Sequence, residues 1–158
     1  MLKIIRTDSG NEDFQELVRL LDAVLKFRDG AEHDFYAQFN KLDLIKHVVL
    51  ADENDETIGC GAFKQYDEKS VEIKRMFVRL EQRGKGVAVE ILKELENWAI
   101  ESDYKFAILE TGFNQPEAIR LYEKSGYKVI PNYGQYEGVE NSVCMKKSLW
   151  RFPLKSLG

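Results

Sequence analysis

Val71-Glu72-Ile73-Lys74-Arg75-Met76-Phe77-Val78 is followed by Arg79-Leu80-Glu81-Gln82, then by Arg83-Gly84-Lys85-Gly86-Val87-Ala88, and then by Val89-Glu90-Ile91-Leu92-Lys93-Glu94-Leu95-Glu96-Asn97-Trp98. The first block reads as a strand. In the last, Ala88, Ile91, Leu92, Leu95 and Ala99 fall at helical spacing and predict a buried stripe. Strand, glycine-bearing turn and helix therefore follow one another directly. That order gathers bare backbone N–H groups at a helix N-terminus, where the first N–H groups lack internal partners and the dipole is positive. Such a point attracts phosphate. Gly84 and Gly86 permit positive φ and close approach of a ligand. Arg83 and Lys85 add positive charge beside them. The commoner phosphate motifs, GxxxxGK[ST] and GxGxxG, are both absent.

Upstream, Leu2–Thr7 reads as a strand, and Asn11 as the N-cap of a helix whose apolar face is Phe14, Leu17, Val18, Leu21, Val24 and Leu25. Gly30 is a plausible stop, and a less regular helical stretch follows over Ala31–Lys41. His47–Ala51, Thr57–Tyr66 and Val71–Val78 are joined by short polar turns and predict an antiparallel meander. Gly59 and Gly61 inside the second of these point to a bulge or a close neighbour. Downstream, Tyr104–Thr111 reads as a strand parallel to Val71–Val78, joined by a right-handed crossover. Pro116 opens the next helix and Gly126 closes it. Tyr127–Ile130 and Ser142–Lys147 are the last strands, and a tail with Trp150 and Phe152 follows. The sum is an α+β fold, a mixed and mostly antiparallel sheet flanked by helices.

At 158 residues the chain fits one domain spanning 1–158. Apolar and charged fractions of 44% and 32% suit a globular protein rather than a disordered one. A net charge of −4 disfavours a nucleic-acid surface, which needs a basic face. Cys60 and Cys144 sit far apart in apolar sequence and read as buried reduced thiols. His33 and His47 have no metal-ligand spacing, so no metal is expected. No signal-length apolar core and no run of ~20 apolar residues is present, which predicts a cytoplasmic protein away from membranes.

Arg83-x-x-Gly86-x-Ala88 matches [Gln/Arg]-x-x-Gly-x-[Gly/Ala], the acetyl-CoA signature of the GNAT superfamily of N-acetyltransferases. The preceding EIKRMFV resembles that family's fourth strand. LETGFNQPEAIRLYEKSGYKVI resembles its fifth strand, Asn-containing loop and Tyr-bearing fourth helix. The resemblance is densest from Ile58 to Met145, and the three pieces in this order make it specific. It implies a seven-stranded sheet of three-layer type, whose parallel fourth and fifth strands splay to leave a slot for acetyl-CoA as co-substrate.

The resemblance also assigns roles. The main chain of Arg83, Gly84, Lys85, Gly86, Val87 and Ala88 would hold the diphosphate, and that of Met76, Phe77 and Val78 the pantetheine arm. A main-chain N–H near Val78 would face the developing oxyanion. Asn114 would hydrogen-bond the cofactor. Tyr122 would protonate the departing thiolate, since a phenol of ordinary pKa ~10 stays protonated at neutral pH. Glu72 would be the general base, with Glu110 as second candidate. A plain core tyrosine and a surface strand glutamate are the competing readings of Tyr122 and Glu72. Arg28, Glu32, His33, Asp34, Tyr36, Phe39, Tyr133, Tyr136 and Glu137 fall where the superfamily selects its acceptor. Acidic and aromatic groups suit an amine with an apolar body, whereas Arg28 or Arg75 suits a carboxylate. The implied activity is acetyl transfer to the primary amine of a small molecule or peptide in a ternary complex. The alternative is a non-catalytic acyl-CoA-binding module on the same fold. A homodimer is the commonest assembly open to such a chain.

Overall fold

β1 (Lys3–Thr7) and α1 (Glu12–Asp29) lead into the meander β2 (His47–Glu53), β3 (Glu56–Gln65) and β4 (Ser70–Val78). Then come α2 (Val87–Glu101), β5 (Phe106–Gly112), α3 (Pro116–Lys124), β6 (Lys128–Ile130) and β7 (Ser142–Ser148). The computed structural model describes residues 1–29 and 44–149, with side chains for 1–26 and 44–149. The expected helix over Ala31–Lys41, the Gly30 stop, the residues Glu32, His33, Asp34, Tyr36 and Phe39, and the tail with Trp150 and Phe152 lie outside the described residues. So does the side chain of Arg28.

The seven strands form one sheet in the order β1-β2-β3-β4-β5-β7-β6. All pairs are antiparallel except β4 with β5. The seven-stranded α+β expectation and the parallel crossover hold. α2 and α3 cover one face over a core that includes Val71, Ile91, Leu95 and Leu109, and α1 covers the other through Phe14, Leu17, Val48 and Phe77. The Asn11 cap forms, with Phe14 N–H donating to Asn11 Oδ1 at 3.0 Å. The β2–β3 turn is tighter than the five-residue polar turn expected from the sequence. Glu53 and Glu56 pair, and only Asn54 and Asp55 lie between them, at φ +53° and +64°. Asn and Asp tolerate the left-handed region, which a two-residue hairpin of matching twist requires.

Two features open the sheet at its centre. β4 pairs with β5 only at Ser70, Val71 and Glu72. Beyond Glu72, β4 stays with β3 as far as Val78, and β5 stays with β7 as far as Gly112. The second feature is a bulge. Ala62 pairs with Lys74 but Cys60 pairs with Phe77, so Gly61 faces two residues, Arg75 and Met76. Arg75 takes φ +60° there. Gly61 has no alternative: a Cβ would sit 2.5 Å from Met76 Sδ and 2.9 Å from Ile91 and Leu95. The extra residue shifts the facing of β4 by one. Val71 and Ile73 face the α2 core, and after the bulge Met76 and Val78 do so. Lys74 and Arg75 therefore both fall to the other side.

Candidate active site

The splay leaves two adjoining spaces. The larger, about 330 Å³, lies between the end of β4, the turn before α2, and α3. The smaller, about 120 Å³, lies between β4, β5, α1 and α3. Leu21, Leu25, Met76, Gln115, Ala118 and Tyr122 border both. The C-terminal part of the α1 apolar face thus both packs on the core, through Leu21 and Val24, and walls the site.

The larger space is a main-chain structure. Gly84 and Gly86 take φ +80° and +81°, and among the described residues a Cβ added at either would meet nothing within 4 Å, so conformation rather than space calls for glycine. Gly86 is the N-cap of α2 and offers no side-chain cap. The first bond of α2 runs from Glu90 N–H to Gly86 O at 3.1 Å. The N–H groups of Val87, Ala88 and Val89 consequently have no partner within the helix. Arg83 ties the turn to the strand, its Nε donating to Val78 O at 3.0 Å, with the guanidinium 5.7 Å from the Phe77 ring centre. Arg79 N–H goes to Ile58 O of β3 at 2.8 Å. Successive N–H groups of a strand point to opposite edges. Val78 N–H therefore faces the gap toward β5, where the sequence reading wanted an oxyanion donor.

Eight of the ten candidate cofactor residues border this cleft: Met76, Phe77, Val78, Arg83, Gly84, Gly86, Val87 and Ala88. Lys85 and Asn114 do not. Lys85 is exposed and its Nζ donates to Gln82 Oε1 at 3.1 Å. Asn114 is exposed in the turn where Gln115 N–H bonds Gly112 O at 3.0 Å. Its neighbour Gln115, missed in the sequence, borders both spaces.

The smaller space is built from side chains. Glu72, Lys74 and Arg75 come from β4, Glu110 from β5, and Tyr136 from the 3₁₀ turn Gly134–Tyr136. Tyr133 donates a 2.6 Å hydrogen bond to Glu72 Oε2, and Lys74 Nζ lies 3.6 Å from Glu72 Oε1. Burial holds the Lys74 ammonium below its usual range, against the opposing pull of Glu72. Tyr133 stands edge-on to Tyr66 at 5.2 Å and to Tyr136 at 5.7 Å. Burial first, and then the charge of Glu72, raises Tyr133 far above an ordinary phenol. Glu72, Glu110, Arg75 and Tyr136 were all candidates in the sequence; Lys74 was missed, though Glu72 and Lys74 are polar residues on one face of a central strand.

Tyr122 stands between the two spaces. It is 7% exposed and sits edge-on to Tyr127 at 5.8 Å. Among the described residues its hydroxyl has no hydrogen-bond partner. Burial and then the charge of Glu110 raise its pKa, so it holds its proton. Cys60 and Cys144 are free and buried, and burial pushes their thiols up to about 12 and about 11. Among the described residues no group of three or more His, Cys, Asp and Glu is placed to hold a metal ion, and no helix is long and apolar enough to cross a membrane.

Comparison with known proteins fits this geometry. The profile of the Acetyltransferase (GNAT) family matches residues 14–127. YsnE of Bacillus subtilis (strain 168), an uncharacterized N-acetyltransferase, is 36% identical over 99 residues, covering 61% of this chain and 66% of that protein. The aligned stretch thus spans just under two thirds of that relative. A Klebsiella pneumoniae structure assigned to the acyl-CoA N-acyltransferases superposes with a TM-score of 0.80 at 27% identity, covering 95% of this chain and 99% of that one. A GNAT family acetyltransferase from Elizabethkingia anophelis, with acetyl-CoA bound, shares the fold at a TM-score of 0.65 and 20% identity, covering 94% and 98%. The chain belongs to the GNAT family of acetyltransferases.

Proposed function

We propose that this protein transfers the acetyl group of acetyl-CoA to the primary amine of a small molecule or peptide, by direct attack within a ternary complex. One observation carries the reading. Tyr122, a proton-holding phenol, borders both the N–H-lined cleft and the carboxylate-lined chamber. A thioester in the first and an amine in the second would meet beside it.

The residues fit acetyl-CoA. The N–H groups of Val87, Ala88 and Val89 and the helix dipole suit a diphosphate. The free edge of β4 at Val78 suits the amides of a pantetheine arm, which can pair as a short strand. Glu72, directly or through water, takes a proton from the ammonium group and frees the nitrogen lone pair. The C–N bond forms at the thioester carbonyl, and Val78 N–H stabilises the charge that develops on its oxygen. As the C–S bond breaks, the Tyr122 hydroxyl donates its proton to the sulfur, and the nitrogen gives up its second proton to solvent. Tyr133 holds Glu72 in place throughout. Products are the acetamide and CoA, and solvent restores both proton carriers.

Calorimetric titration with acetyl-CoA, followed by a thiol-release assay over a panel of amines, tests this. Micromolar-range binding and CoA release with at least one amine are expected. Binding without turnover on any amine would leave an acyl-CoA-binding module, and no binding at millimolar ligand would overturn the reading altogether. The buried thiols of Cys60 and Cys144 keep the protein itself silent in that assay.

A further inference from the structure

Arg75 has no part in the chemistry above, yet it borders the chamber that holds Glu72 and Glu110. Its side chain is 3% exposed. Among the described residues its one ion pair is Nη1 to Asp22 Oδ1 at 3.2 Å, and that aspartate is 48% exposed. Arg75 Nε is buried and, among the described residues, has no hydrogen-bond partner. A guanidinium carries five N–H donors in a fixed fork and cannot shed its charge. Burying it behind one partner is costly, because the remaining desolvation is uncompensated. Its backbone adds to the cost: φ +60° is uncommon for a residue with a side chain, and such strain concentrates at ligand clamps. The bulge opposite Gly61 sets it on the α1 side of β4 rather than in the apolar α2 core.

We propose that the Arg75 guanidinium receives the carboxylate of the acceptor, and that the acceptor is an α-amino acid with an apolar side chain. This rests on the amine-acetylation reading and narrows it. In an α-amino acid the amine and the carboxylate share one carbon. Glu72 and Arg75 lie on one strand and border one chamber of about 120 Å³, so a single small molecule reaches both. The fork then gains a bidentate partner of matching geometry. Leu21 and Leu25 of α1 border the same chamber and give an apolar side chain its wall.

Matched pairs test it with the full chain and acetyl-CoA: L-methionine against 3-(methylthio)propylamine, and L-phenylalanine against 2-phenylethylamine. In at least one pair, kcat/KM is expected to be about tenfold or more higher for the amino acid. Arg75→Met should erase that preference by raising KM for the amino acid. It should leave the plain amine within about twofold and acetyl-CoA affinity unchanged. Arg75→Lys, which keeps charge but loses the fork, should show the same KM-selective loss, and it decides the matter if Arg75→Met does not fold. Equal or better use of the plain amines, or equal slowing of both members, overturns the proposal and leaves the transferase reading standing. If no member of either pair is acetylated, calorimetry of L-methionine and L-phenylalanine with the CoA-loaded protein decides. Binding lost in Arg75→Met supports the proposal, and no binding at millimolar concentration overturns it. Failure to bind acetyl-CoA removes the transferase reading itself.

Discussion

The two spaces at the splayed centre of the sheet are made of different materials. The larger cleft is main chain: three N–H groups at the start of α2, a strand edge at Val78, and two glycines at φ +80° and +81°. The smaller chamber is side chain: Glu72, Lys74, Arg75, Glu110 and Tyr136, from two strands and a 3₁₀ turn, closed by leucines from α1. A ligand shared by many proteins can be held by backbone, which every sequence possesses. A ligand peculiar to one protein must be read by side chains. The division predicts that substitutions in the cleft act through conformation, and those in the chamber through chemistry.

The largest effect belongs to the residue between them. Tyr122→Phe should lower kcat by about 10²–10⁴-fold, the usual worth of a positioned proton donor. The acetyl-CoA dissociation constant should not move, because among the described residues the hydroxyl bonds nothing whose loss would disturb the cleft. Sign follows from the raised pKa: the protonated form is the active one, so kcat in the wild type should show no alkaline decline attributable to this group below about pH 10. A kcat unchanged in Tyr122→Phe would remove the proton-donor role and leave Tyr122 as part of the wall. Next comes Glu72→Gln, expected to cut kcat/KM for the amine about 100-fold with acetyl-CoA affinity intact. A matching loss of acetyl-CoA affinity would show that the two spaces are not independent.

Gly86→Ala should act the other way, weakening acetyl-CoA about tenfold while leaving the amine KM alone. A left-handed residue with a Cβ costs about 1–2 kcal/mol, and no atom of the described residues stands within 4 Å of the added carbon to cost more. Gly86→Asn sharpens the point, since asparagine tolerates that region better. A smaller loss for Asn than for Ala assigns the effect to backbone conformation. A larger loss assigns it to crowding of the ligand.

The same division decides what could be read from sequence. The main-chain side of the cleft comes from one unbroken stretch, Met76–Val89, whose strand, glycines and helical stripe are local signals; its other walls come from α1 and α3, and eight of ten candidates border it. The sheet, its meander and its parallel crossover followed from periodicity and loop length for the same reason. The chamber joins residues as far apart as Leu21 and Tyr136, and no spacing rule spans that distance. Arg75 shows the limit: the sequence could name it as suited to a carboxylate, but could not say which way it faces. Strict alternation along β4 would send it into the apolar core with Val71 and Ile73, and only the bulge against Gly61 turns it out. Gly59 and Gly61 announced a bulge or a close neighbour, but not which residue it would redirect. The glycines prove to be packed as well, for a Cβ on Gly59 would meet Ile91 at 2.9 Å.

Lys85 gives the smallest effect and the strictest test of the contrast. Its sequence position, between the two glycines, invites a direct role on the diphosphate. Its side chain is exposed and turned to Gln82, at 3.1 Å. An exposed charge near an anion contributes about 0.2–1 kcal/mol, which is at most about a fivefold change in affinity. Lys85→Ala should therefore weaken acetyl-CoA by no more than about fivefold. The loss should vanish near 1 M salt, where screening falls to about 3 Å. Gly86→Ala should keep its full penalty at that salt, because φ is not screened. If instead Lys85→Ala cost a hundredfold and salt did not rescue it, the lysine would be a direct ligand, and the cleft would be a side-chain site after all.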